Sequence, residues 1–170
     1  MFAWRVTKYN PENRDMHGIY LPDEWTAYSD IGKVIGGKLL TYAEYLTIEN
    51  AYVAAILTFM GCNRLTELSV ISLEKNLKLR NTPDLNLAMT ELFEHMKKGL
   101  KLNSKEVEAA ARLSLREELW CILGSNDAML VRFSWDYYMY IGSTNKCEDT
   151  IYKIQQSGLF VEACDREYLK

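Results

Sequence analysis

The chain has 170 residues, 48% of them apolar and 25% charged, with a net charge of −3. That is enough chain to bury the core of a single domain spanning 1–170 without staples, and it excludes a disordered, collagen-like or disulfide-scaffold protein. So small a negative charge supplies no global basic field to draw in nucleic acid.

Phe2 to Tyr9 is aromatic and β-branched with loose alternation, which predicts a strand. Asn10-Pro11 breaks it, and 10–23 reads as a long loop. Trp25 to Ile31 reads as a second short strand or an irregular segment. Gly32 to Lys38 is glycine-rich but ends in Leu39, so it fails the phosphate-loop spacing and reads as a turn. Thr41 and Glu44 stand at capping-box spacing, and Tyr45, Ile48, Tyr52, Ala55, Ile56 and Phe59 recur at helical spacing. A helix over 42–60, ended by Gly61, follows. Leu65 to Leu73 predicts a strand. Thr82-Pro83-Asp84 predicts a second helix start, with Pro at the first helical position and Gly99 as the stop. Ser104 predicts the cap of a third helix.

The segment 113–123 is ambiguous: Arg116-Glu117-Glu118 favours helix, whereas Leu119, Cys121 and Leu123 alternate. The turn signal Gly124 to Asp127 and the alternating run Ala128 to Phe133 favour a hairpin, and hence strand. Tyr137 to Ile141 predicts another strand, 145–157 a helix closed by Gly158, and Leu159 to Ala163 a last short strand. Helices and strands mix without βαβ regularity, so the expected class is α+β, a mainly antiparallel sheet with three to four helices.

Two histidines are present, His17 in the first loop and His95 in the second helix, and neither stands at metal-ligand spacing. Cys62, Cys121, Cys147 and Cys164 form no C-x-x-C pair and read as free thiols of a reducing compartment. No metal, no cofactor and no catalytic constellation are therefore expected. Arg5 and Lys8 interrupt the apolar start, so no export signal is expected, and 51–62 is too short to span a bilayer. The chain is read as cytoplasmic. Lys97, Lys98, Lys101 and Lys105 form the one basic cluster, flanked by Glu94, Glu106 and Glu108 and lacking interleaved aromatics for base stacking.

All 11 Tyr and all four Trp fall in 1–52 and 120–170, and none in 53–119. The aromatics sit beside acids in Asp23-Glu24-Trp25-Thr26-Ala27-Tyr28-Ser29-Asp30 and in Trp135-Asp136-Tyr137-Tyr138-Met139-Tyr140. Aromatic anchors within a charged rim are a common interface composition.

Segments 4–11, 23–26, 29–33, 115–121, 136–142 and 157–162 together resemble a family of small bacterial cytoplasmic proteins. Some of these are similar to immunity proteins of contact-dependent growth inhibition and related polymorphic toxin systems. That resemblance implies no enzymatic activity. It implies tight binding to the C-terminal domain of a cognate toxin, often an RNase, with occlusion of its active site and no direct contact with nucleic acid or membrane. Under this reading Asp15, Asp23, Glu24, Asp30 and Asp136 mimic phosphate, while Trp25, Tyr28 or Tyr138 supply the buried anchor. Two other readings stay open: a small enzyme using the 10–30 loop with His17, Asp15 or Asp30, and an RNA-binding or regulatory module using Lys97 to Lys105.

Overall fold

The computed structural model describes residues 1–125 and 127–170. Asn126, in the expected 124–127 turn, lies outside them. The strands are β1 (Phe2–Thr7), β2 (Val34–Ile35), β3 (Lys38–Leu39), β4 (Glu67–Lys75), β5 (Lys101–Asn103), β6 (Leu119–Ser125), β7 (Met129–Phe133), β8 (Tyr138–Ser143) and β9 (Phe160–Ala163). The helices are α1 (Tyr42–Cys62), α2 (Leu87–His95), α3 (Ser104–Leu115) and α4 (Glu148–Gln156). Seven strands form one sheet in the order β5-β4-β6-β7-β8-β1-β9, every pair antiparallel, and β2 and β3 form a separate hairpin. The α+β class holds, with β7 at the centre of the sheet.

Alternation places Leu119, Cys121 and Leu123 of β6, Met129, Val131 and Phe133 of β7, and Met139 and Ile141 of β8 in one core with Tyr52, Ile56 and Phe59 of α1 and Val107, Ala110 and Leu113 of α3. The in-between residues Ile122, Leu130 and Arg132 stay half-buried on the other face. There the C-terminal turn Arg166–Leu169 stacks Tyr168 flat on Tyr140, ring centres 4.9 Å apart. Gly142, just past the expected strand 137–141, lies inside β8. Met1 and Leu169 pack so close to its Cα that a side chain there would collide with them.

The expected Thr41–Glu44 box is present and starts α1. The helix runs through Gly61 to Cys62, because Gly61 keeps helical geometry and Asn63 closes the end. By length and composition α1 could cross a bilayer, but half of it is buried in this fold, around a fully buried Glu49.

Glu49 is the focus of a buried ion network. Arg116 Nε and Nη2 donate to its two oxygens at 2.7 and 2.9 Å, Arg112 Nη1 donates at 2.7 Å, and Tyr45 Oη donates at 3.1 Å. Arg116 Nη1 also donates to the Pro83 carbonyl at 2.7 Å. This overrides the expected start of α2. Asp84 sits at φ 56°, outside helical geometry, and α2 begins at Leu87 with Asn86 accepting from the Met89 N–H. It ends at His95, and Gly99 serves the turn into β5 instead. In α3 the cap is Asn103, boxed with Glu106, rather than Ser104.

The strand reading of 113–123 is corrected in its first half. Leu113 and Leu115 are buried on the last turn of α3, and Glu117 turns the chain at φ 60° into β6. Trp25 to Ile31 is irregular, with a single 3-10 turn at Tyr28–Asp30.

The four cysteines are not all free, contrary to the expectation: Cys62 and Cys147 form a disulfide, with Cα atoms 5.9 Å apart, while Cys121 and Cys164 remain thiols. The two partners lie 85 residues apart in the chain, and only the packing of α4 against α1 brings them together.

Removing one member of a buried ion pair strands the other charges. Glu49→Ala should therefore lower the unfolding free energy by about 3–5 kcal/mol. Ile56→Ala and Phe59→Ala, which leave cavities, should each cost about 2–5 kcal/mol. Urea denaturation measures all three, and a loss below about 0.5 kcal/mol at Glu49 would remove its central place in the fold.

Candidate protein-binding surface

The two aromatic–acidic segments, more than a hundred residues apart in the chain, meet at Tyr9. Its ring lies 4.8 Å from that of Tyr20 and 5.4 Å from that of Tyr138, and its hydroxyl donates to the Trp25 carbonyl. Trp25 in turn meets Tyr137 edge-on at 4.7 Å and lies 5.8 Å from Tyr45, and Tyr28 meets Tyr45 edge-on at 5.0 Å. Each buried hydroxyl here has a partner: Tyr137 Oη donates to the Leu115 carbonyl, and Tyr52 Oη donates to the Tyr137 carbonyl while accepting from the Lys8 N–H. Burial holds the Tyr9, Tyr45, Tyr52 and Tyr137 phenols well above the usual tyrosine range, so they stay neutral donors.

Beneath this cluster the Lys8 ammonium sits between the rings of Tyr9 and Trp25, 4.0 and 4.2 Å from their centres, and pairs with Glu24 at 3.0 Å. Burial lowers the pKa of Lys8, and Glu24 opposes that shift. Glu24 also accepts from the Tyr20 hydroxyl. Charge, two ring faces and a hydroxyl thus lock the 10–25 loop to the end of β1.

The expected rim acids are unequal. Asp15 accepts from the N–H groups of His17 and Ile19 and shapes its own loop. Asp30 accepts from the Thr26 and Ala27 N–H groups and pairs with Lys33. Burial pushes its pKa up, yet these donors outweigh burial and hold it below the usual carboxylate range. Asp23 is exposed and accepts from the Gly36 N–H. Only glycine fits at 36, because its φ is 57° and a side chain would run into the Asp23 carbonyl. Glu24 is neutralised by Lys8. Asp136 is exposed, with no side-chain hydrogen bond among the described residues. Of the expected anchors, Trp25 and Tyr28 are half-buried against the core, and Tyr138 is half-buried between Tyr9 and the Arg5 guanidinium.

The aromatic that does project is Trp135, 87% exposed, at the tip of the β7–β8 connection. The two residues after it, Asp136 and Tyr137, both adopt left-handed backbone at φ 55° and 60°, a conformation costing non-glycine residues about 1–2 kcal/mol each. The turn is held by the Ser134 N–H to Tyr138 carbonyl bond and by the buried Tyr137 ring beneath it. Trp135 stands between two clefts. One of about 500 Å³ includes Glu74, Lys75, Trp120 and Arg132; the other of about 360 Å³ includes Thr26, Glu117, Asp136 and Tyr138. The position was readable: a Trp between two alternating runs, in a turn, has no core to enter.

His17 lies at an exposed loop tip with no side-chain hydrogen bond among the described residues. In the basic cluster, Lys101 pairs with Glu67 across β4 and β5. No group of three or more His, Cys, Asp or Glu side chains is arranged to hold a metal ion among the described residues. Comparison with family models, with curated proteins and with solved structures finds no match.

Glu162 of β9 ties the loop to the sheet edge, accepting two bonds each from Arg5 and Arg14 at 2.8–3.1 Å. Burial works to raise its pKa, but the two guanidinium groups prevail and hold it below the usual range. A depressed carboxylate stabilises the fold above its unfolded value and loses that contribution as pH falls through the folded one. Stability should therefore decline below about pH 4.3 through this group. Glu162→Gln should be less stable at pH 7 and show a flatter decline in acid, read by thermal melts from pH 7 to 2.5. An unchanged acid profile would exclude this group as a source of the decline.

Proposed function

We propose that the protein is an immunity-type inhibitor that binds a toxin domain and covers its active site. The observation that supports this reading is the convergence of the two aromatic–acidic segments on one end of the sheet, with Trp135 projecting from a rigid turn at its edge. A tryptophan preset in one backbone conformation loses little entropy when it enters a partner's pocket, and Trp is the residue type most enriched among binding hot spots. Asp136 beside it, with Glu117 across the neighbouring cleft and Asp23 on the loop, supplies a negative rim. That rim suits a basic, phosphate-binding cleft such as a nuclease's, where it would speed association. Glu24 and Asp30 serve the rim indirectly, by fixing the loop that carries Trp25 and Tyr28.

The test first reads the gene beside this one, which the proposal expects to encode a toxin C-terminal domain, and then uses that domain. Mixing should give a 1:1 complex with loss of the toxin's nuclease activity. Trp135→Ala should speed dissociation, costing about 2 kcal/mol or more. Asp136→Lys with Asp23→Lys should mainly slow association at low salt, and the loss should shrink as salt rises. Absence of a complex would overturn the proposal, and wild-type rates for all three substitutions would move the interface elsewhere.

A further inference from the structure

We propose that Cys62 and Cys147 form a reversible thiol–disulfide latch, in which a low-molecular-weight thiol attacks Cys62 and opening the bond releases α4 from α1. Cys62 is the last residue of α1, and Cys147 is the N-cap of α4. The bond is the one covalent tie between distant parts of the chain among the described residues.

The two sulfurs differ in access and surroundings. Cys62 is half-buried, whereas Cys147 is 8% exposed. Cys147 Sγ lies 3.8 Å from Asn63 Nδ2 and 3.6 Å from Ser143 Oγ, and it stands at the N-terminal end of α4. The Asn63 amide and a helix N-terminus can receive the charge of a departing thiolate, against the opposing charges of Glu148 and Asp149 in the first turn. Asn63, Ser143 and Asn145 are hydrogen-bonded to one another, so this setting outlasts the bond. Cys121 offers no alternative partner: it is fully buried against Ser114, and burial raises its thiol to about 12.

The element on the far side of the bond is weakly held. Of α4 only Thr150 and Ile154 are buried, and its N-cap side chain accepts from no backbone N–H of the first turn, whereas α1 buries nine residues. Segments with few buried contacts open first, so α4 depends on the covalent tie more than any other helix.

The exchange balances as follows. A small thiolate attacks Cys62 Sγ, the Cys62–Cys147 bond breaks, and its electron pair leaves on Cys147 Sγ. A second small thiolate attacks the small-molecule sulfur of the mixed disulfide, releasing Cys62 as a thiolate. Two small thiols become one small disulfide, and their two protons end on the two cysteines.

The test uses the full chain carrying Cys164→Ser, equilibrated with oxidised or reduced glutathione, trapped by alkylation and read by peptide mass. Oxidised glutathione should leave residues 62 and 147 linked, and reduced glutathione should expose both. In the added Cys147→Ser variant, the glutathione adduct should accumulate on Cys62. Amide exchange over 148–156 should quicken by about tenfold or more on reduction, with α1, β7 and β9 unchanged. The Cys62→Ser/Cys147→Ser pair should exchange like the reduced protein. Free thiols in oxidised glutathione, equal exchange of α4 in both redox forms, or a loss of protection spread over the whole chain would each overturn the latch.

Discussion

Glu49 sets the relative positions of almost everything on the helical side of the sheet. It has no exposure to solvent, and it lies on α1, while the guanidinium groups that neutralise it belong to Arg112 on the last turn of α3 and to Arg116, which closes that helix. A buried carboxylate tolerates no slip of those helices, because a shift of one turn would strand a charge away from water. Arg116 extends the constraint outward: its Nη1 holds the Pro83 carbonyl, and its own carbonyl accepts from Arg80, which also pairs with the buried Glu118. The 76–86 segment is thus pinned by these polar bonds together with Leu79 and Leu85, which pack partly buried on the core. The excess positive charge of two arginines on one acid is offset by Glu108, which pairs with Arg112 at the surface.

The same network reaches the aromatic end. Tyr45 donates to Glu49 through its hydroxyl and meets Tyr28, Trp25 and Tyr137 through its ring. A tyrosine is suited to this place because it brings a large apolar body and one polar tip to a boundary between charge and core. This accounts for part of the uneven distribution of Tyr and Trp along the chain. Tyr45, Tyr52 and Tyr137 are structural links between buried polar groups, and the middle of the chain, free of Tyr and Trp, supplies α2, α3 and β4 with Phe, Met and aliphatic packing instead. Trp135 stands outside this explanation, since it buries almost nothing.

Local signals were readable where local interactions decide the outcome. The α1 start followed from Thr41 and Glu44, because a capping box is completed within four residues. The hairpin of β6 and β7 followed from alternation on both sides of a turn. Tertiary partners decided the rest. Thr82-Pro83-Asp84 carries a good helix-start pattern, yet the Arg116 guanidinium claims the Pro83 carbonyl and the helix starts later. Leu113 and Leu115 fit both periods, and the packing of α3 on α1 selected the helix. The cysteine pairing had no signal at all at a separation of 85 residues. At the surface, composition marked the right segments but not the right atoms, since it cannot tell a carboxylate free to meet a partner from one bonded to its own loop.

That distinction changes the physics of the proposed interface. Of the five acids expected at the rim, Glu24 and Asp30 are paired with lysines, and Asp15 is consumed by backbone donors. The lysine ammonium groups largely cancel the long-range field of Glu24 and Asp30 within a few ångströms, well inside the screening length of physiological salt, whereas neutral N–H donors leave the charge of Asp15 in place. Steering by the surface then rests on Asp136, Glu117, Asp23 and Asp15, a smaller charge than the composition suggests. The loop acids contribute through order instead: each one fixed in place removes a loop conformation that binding would otherwise have to freeze out. A partner would therefore be selected mainly by the shape around Trp135, with charge setting how fast the encounter occurs and rigidity how long it lasts.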